Sequence, residues 1–170
     1  MGTDIHAIIE YRRHGSDFLA FTEGGILIPR DRKLFSILAF GDGGVTDNLM
    51  YPPRGLPDDS SFEARNLFFL EESEIKEMLL EAGEEFQPQE IAASWGEWAQ
   101  KEYQSSGRLP SLDLHTPSWL NYSELNEILA NDKLEASNVS AEFRAVIAAM
   151  QVLAETYGTE KVRLVFWFDS

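Results

Sequence analysis

The chain has 170 residues, no cysteine and a formal net charge of −15, with 44% hydrophobic and 12% aromatic residues. The length and apolar content favour one globular domain, and the absence of cysteine excludes disulfides, thiolate metal sites and a cysteine nucleophile. A charge this negative repels phosphate backbones, so we expect no nucleic-acid partner. Since the sequence has neither an apolar run of membrane-spanning length nor a signal-peptide pattern, we also expect no membrane partner and a cytoplasmic location.

The first predicted element is a strand over residues 4–12, where apolar side chains alternate with polar ones. Because alternate side chains of a strand share a face, Asp4 and His6 are expected to project side by side. Residues 17–22 are predicted to return as the second strand of a hairpin. The apolar run at residues 26–28 predicts a third, short strand.

Capping residues and apolar spacing predict the helices. Asp31 stands at an N-cap position ahead of an apolar stripe, and Gly41 is the predicted stop. Ser60 and Glu63 have the spacing of a capping box, and Pro88 suits the first turn of a later helix. Further helices are predicted over residues 73–82, 122–130 and 139–157.

The segment from Val162 to Asp169 predicts a strand that is apolar on both faces, which is typical of the centre of a sheet. We expect this strand to pair with the N-terminal one. The prediction is therefore a single α+β domain spanning residues 1–170. Its small mixed or antiparallel sheet contains both terminal strands and is packed by four to six helices. Exposed strand edges would allow a homo-oligomer.

Residues 41–61 carry no periodicity and are rich in glycine, proline and aspartate. Loops this long are uncommon in a compact domain and are often functional, so we predict that this loop contributes to a site. Its glycine-rich start around Asp42 is not a phosphate loop, because it lacks the Gly-Lys-Ser/Thr ending and follows a helix.

Two of the three histidines stand in Asp-x-His pairs, Asp4 with His6 and Asp113 with His115. The second pair lies on a segment predicted to be extended, so the members of each pair would share a face. Two imidazoles and two carboxylates together are good ligands for a divalent metal. A structural Asp–His hydrogen bond is the alternative, and the favoured interpretation of the site needs no cofactor.

An anionic ligand is the second interpretation. Arg30 precedes a predicted helix N-terminus, where backbone donors favour anions, and Arg54 lies in the long loop. Arginine offers a planar fork that suits phosphate, although salt bridges to the many acids are the alternative. Aromatic side chains such as Trp119 would stack a base. The predicted ligand-binding set is Asp4, His6, Arg30, Asp31, Asp42, Arg54, His115, Ser118 and Trp119.

Several of these segments together resemble a known family. The resemblance rests on Met1-Gly-Thr-Asp-Ile-His, Arg30-Asp31 with Leu34-Phe35, Arg54-Gly-Leu-Pro, His115-x-x-Ser-Trp-Leu and Val162-Arg-Leu-Val-Phe-Trp-Phe-Asp. The chain resembles a family of small uncharacterised proteins from bacteriophages and bacterial genomes. Residues 71–105 carry none of the resemblance. It implies no activity, but it does imply that the N-terminal pair, the Arg54 loop and the His115–Trp119 segment belong together.

These observations support three hypotheses. The favoured one is a binding protein that captures an anionic, nucleotide-like molecule, which in a bacteriophage would sequester a host defence signal in the host cytoplasm. The alternative is a metal-dependent hydrolase that uses the paired Asp-x-His motifs to activate water. The third is an acidic protein-interaction module or DNA mimic that uses the acids at residues 71–90.

Overall fold

The computed structural model describes residues 4–40, 49–131, 134 and 138–169, the side chain of Phe40 excepted. The strands in this part are β1 Ile5–Arg12, β2 Phe18–Ala20, β3 Ile26–Ile28, β4 Phe69–Glu71, β5 Arg108–Pro110, β6 Leu114–Asn121 and β7 Val162–Asp169. The helices are α1 Arg32–Phe35, α2 Phe62–Phe68, α3 Glu72–Ala82, α4 Pro88–Trp95, α5 Glu97–Ser106, α6 Tyr122–Asn131 and α7 Ala141–Tyr157.

A five-stranded antiparallel sheet organises the molecule, in the order β2-β1-β7-β6, with β3 also paired to β1. The N-terminal and C-terminal strands lie side by side, with Ile5 opposite Phe168 and Tyr11 opposite Val162. This pairing and the α+β class confirm the prediction. The central position of β7 explains its composition, because both of its faces are covered.

The two faces of the sheet carry separate cores. On the first face, Ile5, Ile9 and Phe168 pack with buried residues of α6 and α7, such as Phe143. On the second face, Ile8, Val165 and Trp167 pack with Ala64 and Phe68 of α2. Because alternate residues of β1 and β7 point to opposite faces, each strand contributes to both cores.

The outer helices depart from the prediction in local detail. Pro88 begins a helix as predicted, but this helix ends at Trp95, because Gly96 adopts a φ of 104°, and the separate helix α5 follows from Glu97. The N-cap of α2 is Ser61 rather than Ser60, since the Ser61 Oγ accepts the Ala64 N–H and the Ser60 Oγ donates to Pro57 O. Helix α1 is only one turn and continues as a π-helical turn, Ser36–Phe40. Its predicted stop, Gly41, lies outside the described residues.

No helix in the described part of the chain is both long enough and apolar enough to span a membrane.

Candidate ligand-binding cleft

A row of alternating guanidinium groups and aromatic rings crosses the second face of the sheet. The guanidinium carbon of Arg163 lies 3.5 Å from the Phe18 ring centroid and 5.7 Å from that of Trp119. Arg12 extends the row at one end, 4.7 Å from Phe18, and Arg54 extends it at the other, 4.6 Å from Trp119. We call Arg12, Phe18, Arg163, Trp119 and Arg54 the cation–aromatic row.

Strand register explains why these side chains meet. Arg12 pairs with Phe18, and Arg163 lies opposite both Glu10 and Asn121. Directly opposed residues of antiparallel strands share a face and lie close enough for side-chain contact. The four strands β2, β1, β7 and β6 therefore bring these polar and aromatic side chains together on one face of the sheet.

Arg163 is buried, and carboxylates surround its guanidinium. Its Nε donates to Glu10 Oε2 at 2.7 Å, and its Nη1 donates to Asp59 Oδ1 at 2.8 Å. Its Nη2 also donates to the Asp59 carbonyl at 3.1 Å. Glu10 is fully buried, and its second oxygen accepts the Ser61 N–H at 2.7 Å. This network joins strands β1 and β7 to the segment before α2, with the buried charges fully paired.

Residues 51–61, which we call the edge loop, cover the outer edge of β6. Gly55 N donates to Pro117 O at 3.0 Å, and Arg54 N donates to Ser118 Oγ at 3.1 Å. The loop crosses from the first face, where Tyr51 packs, to the second face, where Leu56 packs. These contacts support the prediction that the Arg54 loop and the segment ending at Trp119 belong together.

Gly55 is required for the close approach of the edge loop to Trp98. Its φ is +75°, which is unfavourable for other residues, and a Cβ at this position would lie 2.4 Å from Trp98 Nε1. The indole of Trp98 therefore packs directly on the Gly55 backbone. Trp98 thereby becomes a shared wall of the two clefts on either side of the loop.

Arg54 is held by a bidentate ion pair. Its Nη1 and Nη2 donate to the two oxygens of Glu124 at 2.9 and 2.7 Å. The guanidinium also lies 5.2 Å from the Tyr51 ring centroid. Tyr51 OH donates to Glu127, and this hydrogen bond, followed by burial, raises the pKa of Tyr51. The salt bridge that the sequence offered as the alternative role for Arg54 is thus present.

The cation–aromatic row lines a surface cleft of about 560 Å³ beside the edge loop. Further residues of the lining are Leu56, Pro57, Asp58, Asp59, Trp98, Asn121 and Glu160. Among the described cleft arginines, Arg12 has the weakest pairing, since it is 42% exposed and its contact with Asp59 is 4.0 Å. A second cleft of about 320 Å³ lies across the edge loop and shares Leu56, Pro57, Asp58 and Trp98.

The N-terminal pair lies elsewhere, at the far end of β1. His6 Nε2 is 2.9 Å from Asp169 Oδ2, and Asp4 N donates to Asp169 Oδ1 at 2.8 Å. Asp4 Oδ1 accepts the Arg30 N–H at 3.0 Å. Burial raises the pKa of Asp169, but the hydrogen bonds from His6 and from the Asp4 N–H outweigh it, so the net shift is downward. Asp4 and His6 therefore share Asp169, a partner that was not predicted from the sequence, and Arg30 contacts Asp4 through its backbone amide rather than through the predicted guanidinium.

The two predicted Asp-x-His pairs do not point into one cavity. His6 is opposite Trp167, whereas His115 is opposite Phe168, and these neighbours on β7 face opposite sides of the sheet. His115 stacks on the Phe168 ring at 5.7 Å and bonds Thr116 Oγ1 at 3.0 Å. The two imidazoles thus lie on opposite faces of one sheet.

Asp113 is not on an extended segment as expected. It is an exposed turn residue just before β6, and Leu114 N donates to Ser111 O to close that turn. Among the described residues, no three or more His, Asp or Glu side chains are grouped to hold a metal ion. The four-ligand set formed by Asp4, His6, Asp113 and His115 is therefore not assembled in this part of the structure.

Two other predicted ligand residues have different outcomes. Asp31 caps α1, where its Oδ1 accepts the N–H groups of Lys33 at 2.9 Å and Leu34 at 3.1 Å. This cap was predicted. It uses the Asp31 carboxylate to stabilise the helix start rather than to bind a ligand. Asp42 and the first part of the predicted 41–61 loop lie outside the described residues.

Five residues at the centre of the cleft were not predicted from the sequence, namely Glu10, Arg12, Phe18, Asp59 and Arg163. One signal was present, because Arg163 interrupts the otherwise apolar strand β7. A charged residue in a covered strand requires a buried partner, and Glu10 in the adjacent terminal strand was the candidate.

No family model, no curated protein and no solved structure matches this chain.

Proposed function

We propose that this protein binds a small anionic molecule with a planar ring, of the nucleotide type, in the cleft lined by the cation–aromatic row. The observation that carries the proposal is the row itself, in which three arginines and two aromatic rings line one concave surface. Small-molecule sites are commonly concave, with aromatic walls and a few placed polar groups.

The aromatic rings help to hold the guanidiniums in place. Phe18 and Trp119 lie 3.5 to 5.7 Å from the three guanidinium carbons, a range in which a ring attracts a cation. Glu124 already engages Arg54, and Glu10 and Asp59 engage Arg163, so Arg12 is the fork that is most open to a phosphate. Contacts that already order an arginine side chain lower the entropy cost of binding a ligand.

The surrounding charge favours a small anion over a polyanion. The protein carries a net charge of −15, and Asp58 and Glu160 stand at the cleft itself. A long phosphate backbone would extend onto the acidic surface, whereas a ligand with one or two phosphates could bind at Arg12, whose carboxylate partner is 4.0 Å away. In a bacteriophage, one of the settings that the sequence resemblance implies, such binding would sequester a nucleotide signal of the host.

The binding proposal is preferred to a metal-dependent hydrolase because the two histidines face opposite sides of the sheet. The acids of residues 71–90 lie on an outer surface formed by α3 and its flanking turns, and most are exposed. Their exposure fits an ordinary solvated surface as well as an interaction module. We therefore build the proposal on the cleft.

The test is recovery of a bound molecule. The purified protein is incubated with a bacterial nucleotide extract, washed, and heated to release ligand for mass spectrometry. We expect wild type and Arg144→Gln, an exposed substitution on α7, to release the same nucleotide in near-stoichiometric amount. We expect Arg12→Gln to release far less. If wild type releases no nucleotide, the proposed function is wrong.

A further inference from the structure

We infer that the anionic group of the ligand binds between Arg12 and Arg163, at the place that the Asp59 carboxylate now occupies. This inference rests on the proposed function and adds the position of the anionic group. Asp59 is the carboxylate that both arginines share, at 2.8 Å from Arg163 Nη1 and 4.0 Å from Arg12 Nη1. It thus marks a position at which this protein already stabilises one negative charge.

The charges around Asp59 would allow the anionic group of a ligand to replace its carboxylate. Arg12 and Arg163 contribute two positive charges, and Glu10 and Asp59 contribute two negative ones. Glu10 is fully buried and is held by Arg163 and by the Ser61 N–H, so it stays in place. If the Asp59 carboxylate turns outward, the pair of arginines keeps one net positive charge, which offsets about half of the charge of a phosphate monoester at neutral pH.

Asp59 is free to turn without moving the edge loop. Its side chain is 57% exposed, and it lies in a turn that is closed by Ser60 N donating to Pro57 O at 3.1 Å. Arg163 Nη2 holds the Asp59 carbonyl independently of the carboxylate. Rotation of one exposed side chain therefore uncovers Arg163 Nη1 and leaves the backbone contacts intact.

The neighbouring aromatic rings define what else the ligand must carry. The Phe18 ring lies beneath both guanidiniums, at 3.5 Å from Arg163 and 4.7 Å from Arg12. Trp119 lies 5.7 Å from the Arg163 guanidinium carbon, and Trp98 also lines the cleft. A planar group attached to a phosphate at Arg12 and Arg163 would therefore share the cleft with two indole rings.

The test compares phosphate binding by wild type, Asp59→Asn and Arg12→Gln, with Asp113→Asn as the matched control. Asp113 is an exposed aspartate in the turn before β6 and lies outside the lining of the cleft. Inorganic phosphate is titrated at constant ionic strength, and the Nε–H resonances of Arg12 and Arg163 are followed by NMR. Chemical denaturation of each variant reports its stability separately.

We expect Asp59→Asn to lower the phosphate Kd by roughly fivefold, because it removes one like charge about 4 Å from the bound anion at an exposed site. Asp113→Asn should change the Kd by less than about twofold, since its charge lies outside the cleft and is screened by solvent. Arg12→Gln should abolish the saturable shift of the Arg163 resonance.

An Asp59→Asn variant that is less stable but binds phosphate no more tightly would overturn the inference, because Asp59 would then have a structural role only. In that case nucleotide recovery by wild type would still support the proposed function. Conversely, tighter phosphate binding without any recovered nucleotide would retain this anion subsite and remove the proposed function. The two failures are therefore distinguishable.

Discussion

The guanidinium carbon of Arg163 lies 3.5 Å from the centroid of the Phe18 ring, so a charge in the middle of the sheet is covered by an aromatic face. The same guanidinium is paired with Glu10 and Asp59. Such a cluster is costly to disturb, because removing one partner leaves another charge buried without compensation. Arg163 thus stabilises the sheet through its ion pair with Glu10 and also lines the cleft.

Substitution of Arg163 by glutamine should lower the free energy of unfolding by about 3–5 kcal/mol, since Glu10 is then left buried and unpaired. The double variant Arg163→Gln with Glu10→Gln should be more stable than Arg163→Gln alone, because no unpaired charge remains. Urea denaturation measures both effects, and Arg144→Gln should stay within about 0.5 kcal/mol of wild type. A double variant that is less stable than the single one would contradict this explanation.

Substitution of Gly55 by alanine should destabilise the protein through two additive causes. An alanine at φ +75° costs about 1 kcal/mol, and its Cβ would lie 2.4 Å from Trp98 Nε1, so the indole must move. The measurement is the thermal midpoint together with tryptophan fluorescence. Gly83→Ala is the matched control, because Gly83 has φ +74° with no atom within 4 Å of its Cβ. Equal losses at the two glycines would show that the contact with Trp98 is unimportant.

Substitution of Ser118 by alanine should loosen the edge loop. The change removes the acceptor of the Arg54 N–H, which is bonded at 3.1 Å in a partly buried position. We expect a loss of about 1–2 kcal/mol in the free energy of unfolding and faster hydrogen exchange of the Arg54 and Gly55 amides. Ser123→Ala, at an exposed position of α6, serves as the control. Unchanged exchange in the Ser118 variant would mean that the loop is held by its other contacts.

The Asp169 carboxylate should make stability depend on pH in the acid range. Its pKa is lowered in the folded state, so the unfolded state binds more protons as the pH falls. The stabilisation is complete above the unfolded pKa of about 3.9 and is lost as the pH drops through the lower folded value. Wild type should therefore lose more stability than Asp169→Asn between pH 5 and the acid limit of folding. Parallel stability curves for the two proteins would rule out this contribution.

Much of the fold could be read from local patterns. Alternation in residues 4–12 and the apolar run of residues 162–169 predicted the two terminal strands, because each pattern matches one geometry. The Asp31 cap and the span of α3 followed from a capping residue and from apolar spacing. Such features depend on neighbours in the sequence, whereas the pairing of the terminal strands required a further inference, that a strand apolar on both faces lies at the centre of a sheet.

The sequence by itself therefore determined the α+β class, the two terminal strands and, to within about two residues, the spans of α3, α6 and α7. Only the tertiary structure decided that His6 and His115 lie on opposite faces of the sheet, since a shift of one residue in strand register reverses the side on which a side chain points. It also decided that Arg12, Arg163 and Asp59 meet. Their contact depends on pairing between strands and a loop far apart in the chain, and local periodicity carries no information about that distance.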